Sequence, residues 1–201
     1  SKRTRHRWKT HGVLLLRRKM NIEELKEIVK LPEGVSASQT GYDLTLKGPK
    51  GELTRKFPSK KVTAKTDGNT IAFTAKNATR REKTLLFTFK AHLKNMIAGV
   101  TQGHQYTLKI CSGHFPMNVS LKGNIFEIKN FIGEAVPRTL EIKSEGVDVK
   151  VNGDQIVVTG IEKEKVAQIA ARIENLTKRP GFDTRIFQDG IYLTEKDGNT
   201  L

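Results

Sequence analysis

The sequence predicts an α+β protein with two tandem copies of a small, mostly antiparallel sheet covered by one helix, preceded by a basic N-terminal extension. Three observations lead to this fold class. Segments of alternating apolar and polar residues are separated by glycine-centred turns, which is typical of strands joined in hairpins. A long apolar stripe with helical spacing follows them. The same order of elements then returns about 80 to 85 residues later, which indicates an internal duplication.

Two hairpins open the first copy. Residues 42–47 alternate and lead into a turn at Gly48 and Gly51, after which an extended pattern resumes. A second pair of alternating segments flanks Asp67-Gly68, as expected for a type I′ turn. We therefore predict four strands in this part of the chain.

A helix follows the second hairpin. Thr79 and Glu82 have the spacing of a capping box, and Gly99 is expected to end the helix. The apolar positions that fall on one helical face are Leu85, Leu86, Phe89, Leu93, Met96 and Ile97.

Residues 21–30 are compatible with two structures. Asn21 and Glu24 could begin a short helix with an apolar stripe, which Pro32 would end, but the same segment could equally enter the sheet as a strand. We leave this choice open.

The second copy repeats these elements. Residues 125–128 lead into a turn near Gly133, and residues 147–151 and 156–158 flank Asn152-Gly153. The second helical stripe consists of Val166, Ile169, Ala170, Ile173 and Leu176. The expected organisation is a basic extension over 1–20, a first lobe over 21–110, a second lobe over 111–194 and a tail over 195–201.

Composition narrows the class of partner. The 201 residues carry a formal charge of +15, with a pI near 10.0, which points to a polyanionic partner. No apolar run approaches the roughly 20 residues that span a bilayer, so we expect no membrane association. Cys111 is the only cysteine, and the early apolar stretch at 13–16 is too short for a signal-peptide core. We expect a soluble protein of a reducing compartment.

The positive charge is concentrated at the N-terminus. Residues 1–19 contain eight cations and no carboxylate, a pattern that favours a phosphate-binding arm, although a disordered cationic terminus or a nuclear import signal has the same composition. The eight predicted RNA-binding cations are Lys2, Arg3, Arg5, Arg7, Lys9, Arg17, Arg18 and Lys19.

A smaller basic group follows the second helix. Lys178 and Arg179 precede Pro180-Gly181, and Arg185 follows, within a half of the chain that is otherwise slightly acidic. This group is a candidate contact surface. The alternative is structural, because cations near the end of a helix complement its macrodipole.

Catalytic and metal-binding motifs are weak in this sequence. Cys111 and His114 have C-x-x-H spacing, but a zinc site needs about four ligands and no second cluster accompanies them. Gly48-Pro49-Lys50-Gly51 matches the GXXG loop of KH domains, yet the flanking strands favour a hairpin turn. We expect no catalytic residue, no metal, no cofactor and no small-molecule substrate.

Seven segments of the sequence together match the pattern of one known family. They are LPEGV at 31–35, LKGPKGEL at 46–53, KNMIAGVTQG at 94–103, HFPMNVSL at 114–121, IKNFIGE at 128–134, GIEKEKVAQIAARIE at 160–174 and GFDTRIFQDGIYL at 181–193. In these segments the chain resembles the large-subunit ribosomal proteins called L-six in bacteria and L-nine in eukaryotic cytosolic ribosomes. The last segment is similar to the archaeal and eukaryotic form.

The resemblance implies a non-enzymatic structural protein that binds large-subunit rRNA near the sarcin-ricin loop and the stalk base, and so supports translation. Its implied partners are that rRNA and neighbouring ribosomal proteins, in the cytoplasm, with nucleolar assembly if the source is eukaryotic. The family's rRNA-facing second lobe makes Lys178, Arg179, Gly181 and Arg185 the preferred site. Residues 1–19 look like an added extension whose role the family does not supply.

Two other functions remain open from the sequence. The chain could be a free RNA-binding or ribosome-assembly factor. It could also be an RNA-acting enzyme that uses Cys111 and His114, the less favoured alternative.

Overall fold

A computed structural model describes residues 22–143, 146–183 and 185–201 as two lobes of the same design. The elements of the first lobe are β1 (Ile22–Lys30), β2 (Ser36–Thr40), β3 (Asp43–Gly48), β4 (Gly51–Lys56), β5 (Val62–Asp67), β6 (Thr70–Ala78) and α1 (Arg80–Thr101). They form two antiparallel three-stranded sheets, in the orders β1-β6-β5 and β2-β3-β4.

The segment that was open between helix and strand forms β1. It pairs with β6 from Ile22 opposite Ala78 to Lys30 opposite Thr70. Leu25 packs against the core and Lys26 is exposed, which is the period-2 alternation of a half-buried strand. The long ladder with β6 therefore prevails over the weak helical periodicity of this segment.

The start of α1 confirms the predicted capping box. The backbone N–H of Thr79 donates to the Glu82 carboxylate at 3.0 Å, and the two side chains are also hydrogen-bonded. The predicted end at Gly99 is wrong, because α1 continues to Thr101 and its left-handed terminating glycine is Gly103, with φ +74°.

Gly99 is instead a point of close approach inside the helix. A Cβ atom there would lie 2.0 Å from the carbonyl oxygen of Ile161 in the second lobe. The absent side chain thus lets the two lobes touch, which a reading of local sequence signals could not distinguish from a helix stop.

The second lobe contains β7 (His104–Cys111), β8 (Asn118–Lys122), β9 (Ile125–Lys129), β10 (Arg138–Glu141), β11 (Val147–Asn152), β12 (Gln155–Gly160), α2 (Lys163–Leu176), β13 (Gly190–Lys196) and β14 (Asn199–Thr200). Its sheets have the orders β8-β9-β10 and β11-β12-β7-β13-β14. The elements β7 to β12 and α2 therefore repeat β1 to β6 and α1 of the first lobe in the same order. Strands β13 and β14 extend the larger sheet of the second lobe. This confirms the α+β duplication, with two sheets rather than one in each lobe.

Strand β7 lies in the second lobe, although the sequence placed residues 104–110 in the first. It pairs with both β12 and β13, and Leu108 is fully buried in the second core. We therefore propose a lobe boundary at Gly103 and assign residues 195–201 to the second lobe, because they form the end of β13 and the short strand β14.

In the described part of the chain, polar contacts and the apolar side chain of Ile161 join the lobes. Arg55 pairs with Glu164 at 2.7 Å, and Ile161 packs against the first core. His104 is buried, with its Nδ1 2.9 Å from Asp197 and its Nε2 3.0 Å from the carbonyl oxygen of Asn95. The lobes are thus held together next to the end of α1.

The Gly48–Gly51 segment is a hairpin turn, as expected, and not a KH-type loop. Lys50 donates its backbone N–H to the Val100 carbonyl at 3.0 Å and its ammonium group to the Gln102 carbonyl. The turn therefore supplies a cation to the end of α1, whose own last turn contains none. Among the described residues, neither helix is long and apolar enough to cross a bilayer.

Candidate nucleic-acid interface

The structure brings four of the predicted site residues together. Lys178, Arg179, Gly181 and Arg185 lie in the loop of residues 177–189 that connects α2 to β13, and we name this segment the α2–β13 loop. The eight predicted cations of residues 1–19 lie outside the described residues.

A buried carboxylate anchors the loop at its C-terminal end. Asp189 accepts hydrogen bonds from the backbone N–H groups of Gly113 and His114, at 2.5 and 3.0 Å, and lies 2.5 Å from Nδ1 of His114. Burial alone would raise the pKa of Asp189, but these donors outweigh it and hold the pKa below its usual range. The loop is therefore fastened to the segment that leads into β8.

A second anchor lies at the other end of the loop. The hydroxyl oxygen of Thr177, a buried residue, accepts the backbone N–H of Ile191 at 3.0 Å. Arg138 donates to the carbonyl oxygen of Leu176 at 2.6 Å and so supplies a cation to the end of α2. Because Arg138 already serves this end, the helix does not depend on Lys178 or Arg179 to complement its macrodipole.

Arg179 lies in a cluster of charged and aromatic groups. Its guanidinium lies 4.1 Å from the ring centroid of Phe182 and 4.0 Å from Glu134. Glu134 also receives two hydrogen bonds from Arg138, at 2.7 and 2.8 Å, which hold the pKa of Glu134 below its ordinary value. Arg179 is thus held in one direction while about a third of its side chain stays exposed.

Arg185 is also paired, but weakly. Its guanidinium makes two hydrogen bonds to Asp183, at 3.1 and 2.8 Å, and 88% of its side chain is exposed. The Arg185 guanidinium lowers the pKa of Asp183, and Asp183 raises that of Arg185. Solvent screens an exposed pair of this kind, so a phosphate could replace the carboxylate at small cost.

Gly181 allows the turn that the α2–β13 loop makes at this position. Its φ of +85° is in the left-handed region, and nothing lies within 4 Å of the position a Cβ would occupy. Its role is therefore conformational: it lets the chain turn between the cation pair Lys178–Arg179 and Phe182.

Sequence reasoning missed the aromatic part of this site. Phe182 and Tyr192 are 36% and 41% exposed, and Phe187 packs against both Phe182 and His114, with ring centroids 5.0 and 5.2 Å apart. They line a pocket of about 450 Å³ whose floor includes Phe131. The spacing of the three aromatic residues in 181–193 was the available signal, but only the fold shows that they share one surface.

The site combines point charges with apolar area. The charges around the pocket are only partly balanced, because Arg138 and Arg179 share the Glu134 carboxylate and Arg185 contacts Asp183. Within the described part of the chain, Lys178 makes no ion pair. Such an arrangement can hold phosphates with a few cations and place unpaired bases on exposed rings.

Cys111 and His114, the pair that the alternative enzymatic function would use, lie next to the α2–β13 loop. Nδ1 of His114 is occupied by Asp189, and Cys111 lies at the end of β7 opposite Gly190. In the three described ranges, no group of three or more His, Cys, Asp or Glu side chains could hold a metal ion. The geometry gives His114 a role in positioning the α2–β13 loop.

Known proteins match this chain in both lobes. The family described as Ribosomal protein L6 matches residues 31–103 and 115–190. The large ribosomal subunit protein uL6 of Saccharolobus solfataricus is 44% identical over 179 residues, which cover 89% of this chain and 98% of that protein. The uL6 proteins of Methanosarcina mazei and Methanococcus vannielii are 42% and 40% identical, over 87% and 88% of this chain and 99% and 97% of their own lengths. The chain therefore belongs to the ribosomal protein L6 family.

Proposed function

We propose that this chain is a structural constituent of the large ribosomal subunit that binds large-subunit rRNA and supports translation. The observation that carries the proposal is the family match, which extends through both lobes, together with relatives of nearly the same length named large ribosomal subunit proteins. Its partners in this proposal are the rRNA and neighbouring ribosomal proteins, in the cytoplasm, with nucleolar assembly if the source is eukaryotic.

The proposed rRNA contact in the second lobe is the α2–β13 loop. Lys178, Arg179 and Arg185 would contact phosphates, while Phe182 and Tyr192 offer rings to unpaired bases. Two features support this choice: the loop is anchored through Asp189, and Arg138 leaves the two cations after α2 without a structural task at the helix end. Rigid presentation of contact groups lowers the cost of ordering them on binding.

The finer location follows from the family resemblance alone. We propose contact near the sarcin-ricin loop and the base of the lateral stalk. The eight cations of residues 1–19 are proposed as a second, less specific phosphate contact, because contacts between cations and phosphates depend on charge rather than on base sequence.

A charge-reversal experiment tests the second-lobe site. The Lys178→Glu, Arg185→Glu variant should enter large subunits less efficiently than wild type, while its melting temperature should stay nearly unchanged because both side chains are exposed. The matched control is Lys150→Glu, Lys165→Glu, which makes the same charge change at exposed positions elsewhere in the lobe.

Incorporation would be measured in subunits washed at high salt, with competition between tagged variant and wild type. Equal loss in both double variants would contradict a specific contact at the loop. A large fall in the melting temperature of the loop variant alone would favour a structural role for these cations.

Two other functions are separated by simple measurements. A free assembly factor would be substoichiometric in salt-washed mature subunits, whereas a constituent should be present at one copy. An RNA-acting enzyme that uses Cys111 should lose activity in Cys111→Ala, a change that leaves the His114–Asp189 anchor intact. We expect full incorporation and normal translation for that variant.

A further inference from the structure

One end of the first lobe carries six exposed cations from three segments of the chain. Val62 at the start of β5 lies opposite Ala75 of β6, so the residues before β5 lie beside the end of β6, where α1 also begins. We name this surface the basic end. It consists of Lys60, Lys61, Lys76, Arg80, Arg81 and Lys83.

An ion pair ties two of these segments together. Nζ of Lys61 lies 3.2 Å from Glu82 in the first turn of α1. Glu82 is itself buried and bonded to Thr79, so it neutralises Lys61 but does not reach outward to the other cations. The start of β5 and the start of α1 are therefore fixed next to each other.

The remaining charges of the basic end are not balanced. Within ranges 22–143, 146–183 and 185–201, the other five cations form no ion pair. Glu24 stands opposite Lys76 in the ladder between β1 and β6 without a salt bridge to it. This differs from the α2–β13 loop, where carboxylates accompany most cations, and it leaves a strong local positive field.

The helix adds a reason to regard this charge as functional. Arg80, Arg81 and Lys83 lie in the first turn of α1, where the macrodipole is positive and carboxylates are the stabilising residues. The macrodipole therefore gives these three cations no stabilising effect on α1. Residues that break a local rule without a compensating contact are expected at functional sites.

The chain also enters the first lobe at this end. Ile22, the first residue of β1, pairs with Ala78, two residues before Arg80. The eight cations of residues 1–19 precede this strand in the sequence, and the last of them, Lys19, is three residues before Ile22.

We propose that the basic end is a phosphate-binding surface of the first lobe, which takes the backbone of double-stranded RNA and continues the N-terminal cations. The proposal rests on the proposed function, which brings rRNA to the same chain, but it concerns a different lobe. Long, flexible cations without ordered partners suit phosphates, which they bind without reading the bases.

The test compares two triple variants of the full chain. Lys76→Gln, Arg80→Gln, Arg81→Gln removes half of the basic end. Lys30→Gln, Lys47→Gln, Lys94→Gln removes three exposed cations elsewhere on the same lobe, so the net charge changes equally. The probe is an RNA duplex of about 20 base pairs, slightly longer than the roughly 16 that a double-stranded RNA-binding domain spans.

The measured quantity is the dependence of log K on log salt concentration. Loss of three phosphate contacts should lower the slope by about 2 to 3 in the basic-end variant, and by less than about 1 in the control. The basic-end variant should melt at the same temperature as wild type or higher, because the change removes cations from the positive end of α1.

Two outcomes would overturn the inference: an unchanged slope in the basic-end variant, or equal falls in both variants, which would indicate net charge alone. A separate arm uses transcribed large-subunit rRNA and the Lys178→Glu, Arg185→Glu variant. If that variant binds rRNA like wild type while the basic-end variant does not, the proposed second-lobe contact is wrong and the first-lobe surface stands.

Discussion

Replacing Gly99 by alanine tests the contact that joins the two lobes. Gly99 lies within α1, where a glycine normally costs about 1 kcal/mol relative to alanine, so helix propensity predicts stabilisation. The tertiary structure predicts the opposite. An added Cβ would lie 2.0 Å from the Ile161 carbonyl oxygen, whereas ordinary contact begins at 3.4 Å.

The neighbour cannot yield easily because it is backbone. Overpacking of this kind costs about 1 to 3 kcal/mol, and it would have to part the lobes beside the Arg55–Glu164 pair and the His104–Asn95 hydrogen bond. Because the clash at 2.0 Å is with a backbone atom, we expect the upper part of this range, about 2 to 3 kcal/mol. Subtracting the gain of about 1 kcal/mol in helix propensity, we expect Gly99→Ala to lower the free energy of unfolding by about 1 to 2 kcal/mol.

The assay is urea unfolding of the full chain at neutral pH, with the midpoint and slope both fitted. The control is Gly113→Ala, because the nearest atom to a Cβ at that exposed position is 3.9 Å away, and we expect a change within about 0.5 kcal/mol. A Gly99→Ala protein as stable as wild type, or more so, would refute the close approach of the lobes at this residue.

Three further predictions concern single groups and the N-terminal arm. The hydrogen bond from Thr79 is the largest of the contacts that lower the pKa of Glu82 from 4.5 to about 2. The Glu82 carboxylate therefore stabilises the fold fully above pH 4.5 and loses that effect as the pH falls towards 2. In Glu82→Gln, the midpoint of urea unfolding should depend less on pH across this range. Burial opposes ionisation of Asp189, yet its hydrogen bonds lower its pKa in the folded state, so its stabilising effect should be present above its unfolded pKa and be lost in acid. Asp189→Asn should speed tryptic cleavage at Arg185 at neutral pH about tenfold or more, since charge-assisted hydrogen bonds contribute about 1.5 to 3 kcal/mol. Unchanged cleavage would argue against the anchor. Deleting residues 1–19 should lower the salt slope for duplex RNA by up to about 7 if all eight cations meet phosphates, and an unchanged slope on purified rRNA would reject the phosphate arm.

Local patterns in the sequence predicted most of the fold. The Asp67-Gly68 turn, the Thr79–Glu82 capping box and the apolar stripes of both helices depend on residues a few positions apart, so they can be recognised without tertiary contacts. The duplication was visible for the same reason, because two copies of one local pattern recur in the same order.

The open choice and the wrong predictions lie where contacts between distant segments decide the structure. Residues 22–30 have a period compatible with helix or strand, and only the β6 ladder selects the strand. Strand β7 was placed in the first lobe because nothing local shows that it pairs with β12 and β13. Gly99 was interpreted as a helix stop because its partner, Ile161, lies 62 positions away in the sequence.

The candidate site shows the same division. Counting charges found the N-terminal cations and the pair Lys178–Arg179, because charge is a property of each residue alone. It could not show that Arg138 serves the end of α2, that Asp189 anchors the loop, or that Phe182, Phe187 and Tyr192 share a pocket. Those facts depend on distances between residues far apart in the chain.

The sequence by itself determined the duplicated α+β design and indicated a polyanionic partner, since these follow from local periodicity and composition. The family resemblance is carried by the seven segments between residues 31 and 193. Only the tertiary structure decided which cations remain available. It pairs Arg185 with Asp183 and turns Arg138 inward, while it gathers Lys76, Arg80 and Arg81 at one exposed end of the first lobe. The physical reason is that ion pairs and helix ends act over a few ångströms, a range that sequence spacing does not record.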